Sequence, residues 1–221
     1  MKRLTFTLLF AICLSPVVNA QISAGTFFLG GGLGFSSSKN QDRTGSTTVD
    51  DYKTSSFNLN LNAGYFVADN WAVGITANGT MTNTTNYTGV NTKTVTTSNP
   101  IGIGVFGRRY FMTGENFGLF AGLSAQLLMG KSKMEVTTLT GTTTSEMKIS
   151  GFDANLHGGL VWFATPSIGM EARLGILGFN SIKNTTEATG TTPEIEDSNS
   201  GFDFDLNTLN LNLGFHYYFG R

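Results

Sequence analysis

The sequence has 221 residues, with 14 Lys and Arg against 15 Asp and Glu, for a net charge of −1. At 13% the charged fraction is about half that of an ordinary soluble domain, and it offers no clustered basic face for nucleic acid. The single cysteine, Cys13, excludes a disulfide framework.

The N-terminus carries a secretory pattern. Lys2 and Arg3 precede an apolar run from Leu4 to Leu14, and Val18-Asn19-Ala20 places small residues where a signal peptidase cuts. The run is too short to span a bilayer of about 30 Å. Ile12, just before Cys13, is not the small residue that a lipoprotein signal needs. Cleavage is therefore expected after Ala20, leaving residues 21–221 as one domain of 201 residues, with twelve basic and fifteen acidic side chains. Mean hydropathy is near zero, yet no apolar stretch after residue 20 is long enough for a transmembrane helix.

From there the chain alternates apolar and polar residues with the period of a β-strand. Strand one (about 25–36) sets Phe27, Leu29, Leu33 and Phe35 against Gly30, Gly32 and Gly34. Strand two sets Phe57, Leu59, Leu61, Ala63 and Tyr65 against Asn58, Asn60, Asn62 and Gly64. Strand three (71–82) begins with Trp71, Val73 and Ile75. Strand four (about 97–112) runs through Ile101, Ile103 and Val105, then blurs at Arg108-Arg109-Tyr110, where a bulge is expected. Strand five carries Phe117 to Leu127 against Gly118, Gly122, Ser124 and Gln126. Strand six carries Phe152, Ala154, Leu156, Leu160 and Trp162 against Asp153, Asn155, His157 and Gly159. Strand seven (168–181) sets Met170, Ala172, Leu174 and Ile176 against Glu171, Arg173 and Gly175. The last strand sets Leu209, Leu211, Leu213, Phe215, Tyr217 and Phe219 against Asn210, Asn212, Gly214 and His216.

Connections alternate in length. Residues 67–70, 113–116 and 164–167 are tight, whereas 37–53, 83–97, 135–146 and 182–200 are long and rich in Thr, Asn, Ser and Gly. Three short turns and four long segments match the periplasmic turns and external loops of an all-β, eight-stranded antiparallel up-and-down transmembrane barrel. The termini are then periplasmic, and the four long segments are expected as mobile external loops.

Alternation alone also fits a soluble barrel with its apolar face inside. Two features decide for the membrane. Phe57 and Tyr65, and likewise Phe152 and Trp162, stand about 20–25 Å apart along tilted strands, near the height of an outer-membrane apolar band. Trp71, Phe117, Tyr217 and Phe219 join Tyr65 and Trp162 at the short-turn end, giving a lipid-facing aromatic girdle. The opposite face is Asn, Gly, Ser, Gln, Asp, His, Glu and Arg, where a barrel facing water would use more Lys and Glu, so it suits a closed lumen better.

With these patterns, ending in Leu213-Gly-Phe215-His-Tyr217-Tyr-Phe219, the chain resembles the small eight-stranded outer-membrane barrels: the outer membrane protein beta-barrel domain family, of the OmpA transmembrane-domain and OmpX kind. The resemblance implies a monomer in the cell outer membrane of a Gram-negative bacterium, surrounded by outer-membrane lipid and lipopolysaccharide. It also implies recognition of the last strand by the barrel-assembly machinery, from which Gly220 and Arg221 after Phe219 are a departure.

The candidate site is the lumen, where Asp153, Asn155, His157, Glu171, Arg173, His216 and Arg108 converge. Arg173 is expected near Asp153 or His157, and Glu171 near His216. A His–carboxylate relay is one reading; a charge-paired plug in an interior only wide enough for side chains is preferred. No catalytic set, metal site or cofactor is expected: two His without Cys match no ligand spacing, and no nucleophile elbow is present. A rival role, as in OmpW-like barrels, is a narrow channel or pocket for small hydrophobic solutes, lined by Phe120, Leu128, Leu177 and Phe179.

Overall fold

The computed structural model describes residues 21–44, 47–88, 92–186, 195–204 and 212–221, with side chains for 21–40, 52–88, 92–186, 195–202 and 212–221. The expected signal peptide (1–20) and Leu209, Asn210 and Leu211 of the expected last strand lie outside them.

Ten strands follow in chain order: β1 (Phe27–Thr44), β2 (Thr47–Ala68), β3 (Trp71–Thr88), β4 (Thr92–Ser98), β5 (Ile101–Met112), β6 (Phe117–Thr138), β7 (Gly141–Thr165), β8 (Ile168–Thr186), β9 (Ile195–Phe204) and β10 (Asn212–Phe219). They occupy eight positions. β4 and β5 form one wall position between β3 and β6, broken at Asn99-Pro100. Pro100 has no N–H for the ladder, but Thr80 donates to the Pro100 carbonyl and Asn99 donates to that of Lys131, so the line of the wall is kept. β9 and β10 share the position beside β8. β10 then pairs with β1 from Phe27↔Phe219 to Gly31↔Phe215, closing an antiparallel ring.

The period-two pattern sorts the two faces. Leu33, Ile75 and Leu123 point outward and are 71%, 63% and 64% exposed, whereas Phe28, Phe66 and Phe163 point inward and are fully buried. Glycine permits the inner packing: a β-carbon on Gly64 would collide with the Phe28 ring, and one on Gly30 with His216.

One end of the ring is tied tightly. Asn70 turns β2 into β3 at φ 63°, a left-handed conformation Asn tolerates. Its Oδ1 accepts from the Ile22 N–H at 2.9 Å, and its own N–H donates to the Ile22 carbonyl at 2.9 Å. The C-terminus closes the same end. Arg221 donates to the Glu115 carbonyl at 2.6 Å, and its guanidinium lies 3.5 Å from the Phe163 ring centroid.

Three sequence expectations are corrected. The segments expected as loops are largely strand: 37–44 and 47–53 extend β1 and β2, 83–88 and 92–97 extend β3 and β4, and 182–186 and 195–200 extend β8 and β9. Between β6 and β7 only Leu139-Thr140 turn the chain. Backbone ladders do not require an apolar face, and β-branched Thr suits them. Hydroxyls pair across strands, Thr54 with Thr84 at 3.1 Å and Ser56 with Thr82 at 3.0 Å. Second, β5 holds its phase through Arg108-Arg109-Tyr110, in register with both neighbours from Ile101 to Arg109. Third, a bulge lies instead in β8: Leu156 pairs with Leu177 while His157 pairs with Gly175, leaving Ile176 as the extra residue. That one residue swaps the faces of β8. Below it Glu171 and Arg173 point inward; above it Leu177 and Phe179 point outward, beside Leu156 and Ala154.

Candidate functional site

The tight-turn half of the lumen is filled by an ion-paired plug. β5 alternation brings Arg108, Tyr110 and Met112 inward, β8 supplies Glu171, and β10 supplies His216 and Tyr218, all buried. Arg108 Nη1 donates to Glu171 Oε2 at 3.0 Å. Tyr110 and Tyr218 hydroxyls donate to Oε1 at 3.0 and 3.2 Å. His216 Nδ1 stands 3.7 Å from the same oxygen. Arg108 also lies over two rings, 4.5 Å from the Phe106 centroid and 5.4 Å from that of Phe120. Beneath it Phe28, Phe66, Phe163 and Tyr218 pack at centroid spacings from 4.9 to 6.3 Å. A buried carboxylate with one bidentate-capable cation and two hydroxyl donors has its charge compensated, which is the condition for ionising in such a place.

Above the plug the interior opens into a cup of ≈ 710 Å³, whose lining includes Asn58, Asn78, Gln126, Asn155, His157 and Arg173. Its wall is a chain of side-chain hydrogen bonds from β2, β3, β6 and β7 that passes over β5. Asn62 Nδ2 donates to Asn60 Oδ1 at 2.6 Å, Asn60 donates to Asn78, and Asn78 donates to Gln126. Gln126 Nε2 donates to Asp153 Oδ1 at 3.0 Å, and Asn155 donates to the same oxygen.

The structure thus brings Glu171 near His216, and Asp153 against Asn155. It does not bring Arg173 to Asp153. Arg173 pairs on the ladder with Gly159 and Asn212, six positions along β7 from Asp153. His157 faces inward beside Gly122 and packs against Phe120 at a centroid distance of 6.3 Å. Phe120 and Leu128 do face the interior, but Leu177 and Phe179 do not. Phe179 instead packs on Phe202 at 4.7 Å. Tyr110 and Tyr218 were missed by sequence reasoning. The signal was present: even-numbered residues face inward along all of β5 and β10.

On the outer face Phe57, Tyr65, Trp71, Phe117, Phe152, Trp162, Tyr217 and Phe219 are all partly exposed. Tyr65, Phe27 and Phe219 stand in one cross-strand row, and Phe117 is opposite Trp162. Arg109 joins this band, its guanidinium 5.0 Å from the Trp71 ring and 5.2 Å from that of Phe111. A cation stacked among interfacial aromatics is how long basic side chains settle at a membrane boundary.

The family model described as outer membrane protein beta-barrel domain matches residues 19–184. No curated protein matches the chain. Among solved structures it is similar to the outer membrane protein OprG from Pseudomonas aeruginosa, at 15% identity and TM-score 0.49, over 90% of this chain and 98% of that one. Neisserial surface protein A follows at 15% identity and TM-score 0.39, over 89% and 98%. The attachment invasion locus protein Ail of Yersinia pestis gives 15% identity and TM-score 0.38, over 89% and 99%.

Proposed function

Because the chain belongs to the outer membrane protein beta-barrel domain family, we propose that it is a closed outer-membrane barrel that acts through its surface-exposed hairpins and not by passing solutes or by catalysis. The Arg108–Glu171 pair, buried with Tyr110 and Tyr218 across the lumen, carries this reading. An eight-stranded barrel has an interior only wide enough for side chains, and this one is filled at the tight-turn end by charge-compensated and aromatic groups.

The outer face supports placing the two aromatic rows at the lipid boundaries, with both termini periplasmic and the long hairpins outside. A tilted transmembrane strand needs about 9–11 residues, whereas β6 has 22 and β7 has 25. The surplus length is polar and bears Lys131, Lys133, Glu135, Glu146 and Lys148. These hairpins are the part of the molecule available to partners, and lipopolysaccharide is the lipid around them. The last strand, ending in Tyr217-Tyr218-Phe219, is the proposed contact for the assembly machinery, and the protein is proposed to be a monomer.

The test is single-channel recording of the refolded protein in a planar bilayer, after its folding is verified by a heat-modifiable gel shift. A folded, silent protein is expected. Discrete, reproducible conductance steps would overturn the closed lumen. The hydrophobic-solute reading is weakened by Leu177 and Phe179, which point outward.

A further inference from the structure

The cup above the plug has a chemistry that structural sealing does not require. Its volume, ≈ 710 Å³, lies in the range of small-molecule sites, and half of its lining residues are Asn, Gln, Ser or Thr, set among apolar side chains such as Phe106, Leu128 and Ile149. The wall amides run in one direction: Asn60, Asn78 and Gln126 each accept one hydrogen bond and donate one. A primary amide has two N–H donors and two acceptor lone pairs, so each keeps a spare donor and a spare acceptor. Alternating donors and acceptors match vicinal hydroxyl groups. Three further buried atoms of cup-lining residues, Asn62 Oδ1, Arg108 Nε and His157 Nε2, have no hydrogen-bond partner among the described residues. Leaving a buried polar atom unpaired costs about 1–3 kcal/mol.

The floor adds charge. Arg108 and Glu171 neutralise one another. Arg173 lines both the cup and a smaller cavity of ≈ 50 Å³, which Asn58, Asn60, Asn62, Glu171 and His216 also line. Among the described residues no carboxylate lies within ion-pair distance of it. A guanidinium is a planar fork that takes a carboxylate through two parallel hydrogen bonds. Among the described residues the two guanidiniums at the floor meet one carboxylate, Glu171, so one further carboxylate matches them, and Asp153, hydrogen-bonded to Gln126 on the wall, disfavours a dianion.

We propose that the cup binds a small polyhydroxylated monoanion of monosaccharide size, a sugar acid. Its carboxylate sits on Arg173, and its hydroxyls sit against Asn60, Asn62, Asn78 and Gln126. The plug below makes this a dead-end pocket that captures the solute without conducting it.

The experiment is an NMR titration of isotope-labelled, detergent-refolded protein with sodium glucuronate, with glucose and sodium acetate as parallel probes. Saturable shifts confined to cup residues are expected with glucuronate. Glucose and acetate are each expected to bind at least about tenfold more weakly, because each lacks one half of the recognised chemistry. Arg173→Gln is expected to weaken glucuronate about tenfold or more while leaving the glucose titration unchanged. Asn78→Leu is expected to weaken glucuronate and glucose but not acetate, and it keeps the test informative if the arginine variant does not fold. Three results would overturn the proposal: no saturable shift with glucuronate, equal binding of acetate, or binding by Arg173→Gln as tight as by the wild type.

Discussion

Glu171 shows how much one side chain can hold. Its two oxygens take Arg108, Tyr110 and Tyr218, joining β5, β8 and β10 across the lumen. Truncation strands the Arg108 charge in a buried site, a loss of about 3–5 kcal/mol. Glu171→Ala is therefore expected to lower the free energy of urea unfolding in lipid vesicles by that amount. The double variant Arg108→Met, Glu171→Leu is expected to cost less than Glu171→Ala alone, since the buried Arg108 charge is removed together with its partner. If the double variant is the less stable, the pair is worth more than its desolvation. At the same scale, Arg109 is set apart from Arg108 by nothing except strand phase. One is locked in the plug, and the other stacks on Trp71 outside.

Among the elements, β8 tests what a single inserted residue does. Below Ile176 its odd-numbered side chains fill the lumen, and above it they leave it. The only cysteine in the sequence is Cys13, so single-cysteine labelling of refolded residues 21–221 is clean. A fluorophore on Phe179→Cys is expected to be quenched by quenchers carried in lipid acyl chains, and one on Asn180→Cys is expected not to be. The reverse pattern would mean that the bulge is absent. The element scale also marks where the sequence was legible. Strands with one apolar face, such as Phe57 to Tyr65 and Phe117 to Leu127, show their orientation directly, because lipid and lumen demand opposite side chains at every step. Polar strand extensions show no such contrast: Thr84 and Thr96 face one another on a ladder, yet in sequence they look like loop. The bulge was hidden because Ile176 and Leu177 are both apolar, so the pattern continues through the slip. The plug was half legible. Its charges stood out, but Tyr110 and Tyr218 were masked by neighbouring aromatics on the outer face.

For the molecule as a whole, stability and display are separable. The core lies at the tight-turn end, where the N-terminal residues hydrogen-bond to Asn70 and Arg221 closes over Phe163. The distal part of the β6–β7 hairpin is held mainly by its own ladder, Lys131↔Lys148 through Thr138↔Gly141, with β4 along one side. Replacing residues 133–146 by a two-residue Asn-Gly turn is expected to leave the heat-modifiable gel shift intact and to change unfolding stability by about 1 kcal/mol or less, as surface changes usually do. Failure of this variant to fold would make the hairpin part of the core. The same hairpins give insertion a direction. Once the β6–β7 tip has crossed the bilayer, withdrawing it would draw Lys131, Lys133 and Lys148 back through hydrocarbon, at about 2–4 kcal/mol for each cation at the midplane. With the hairpins outside, as proposed, the polar arms act as barbs that oppose withdrawal of the barrel.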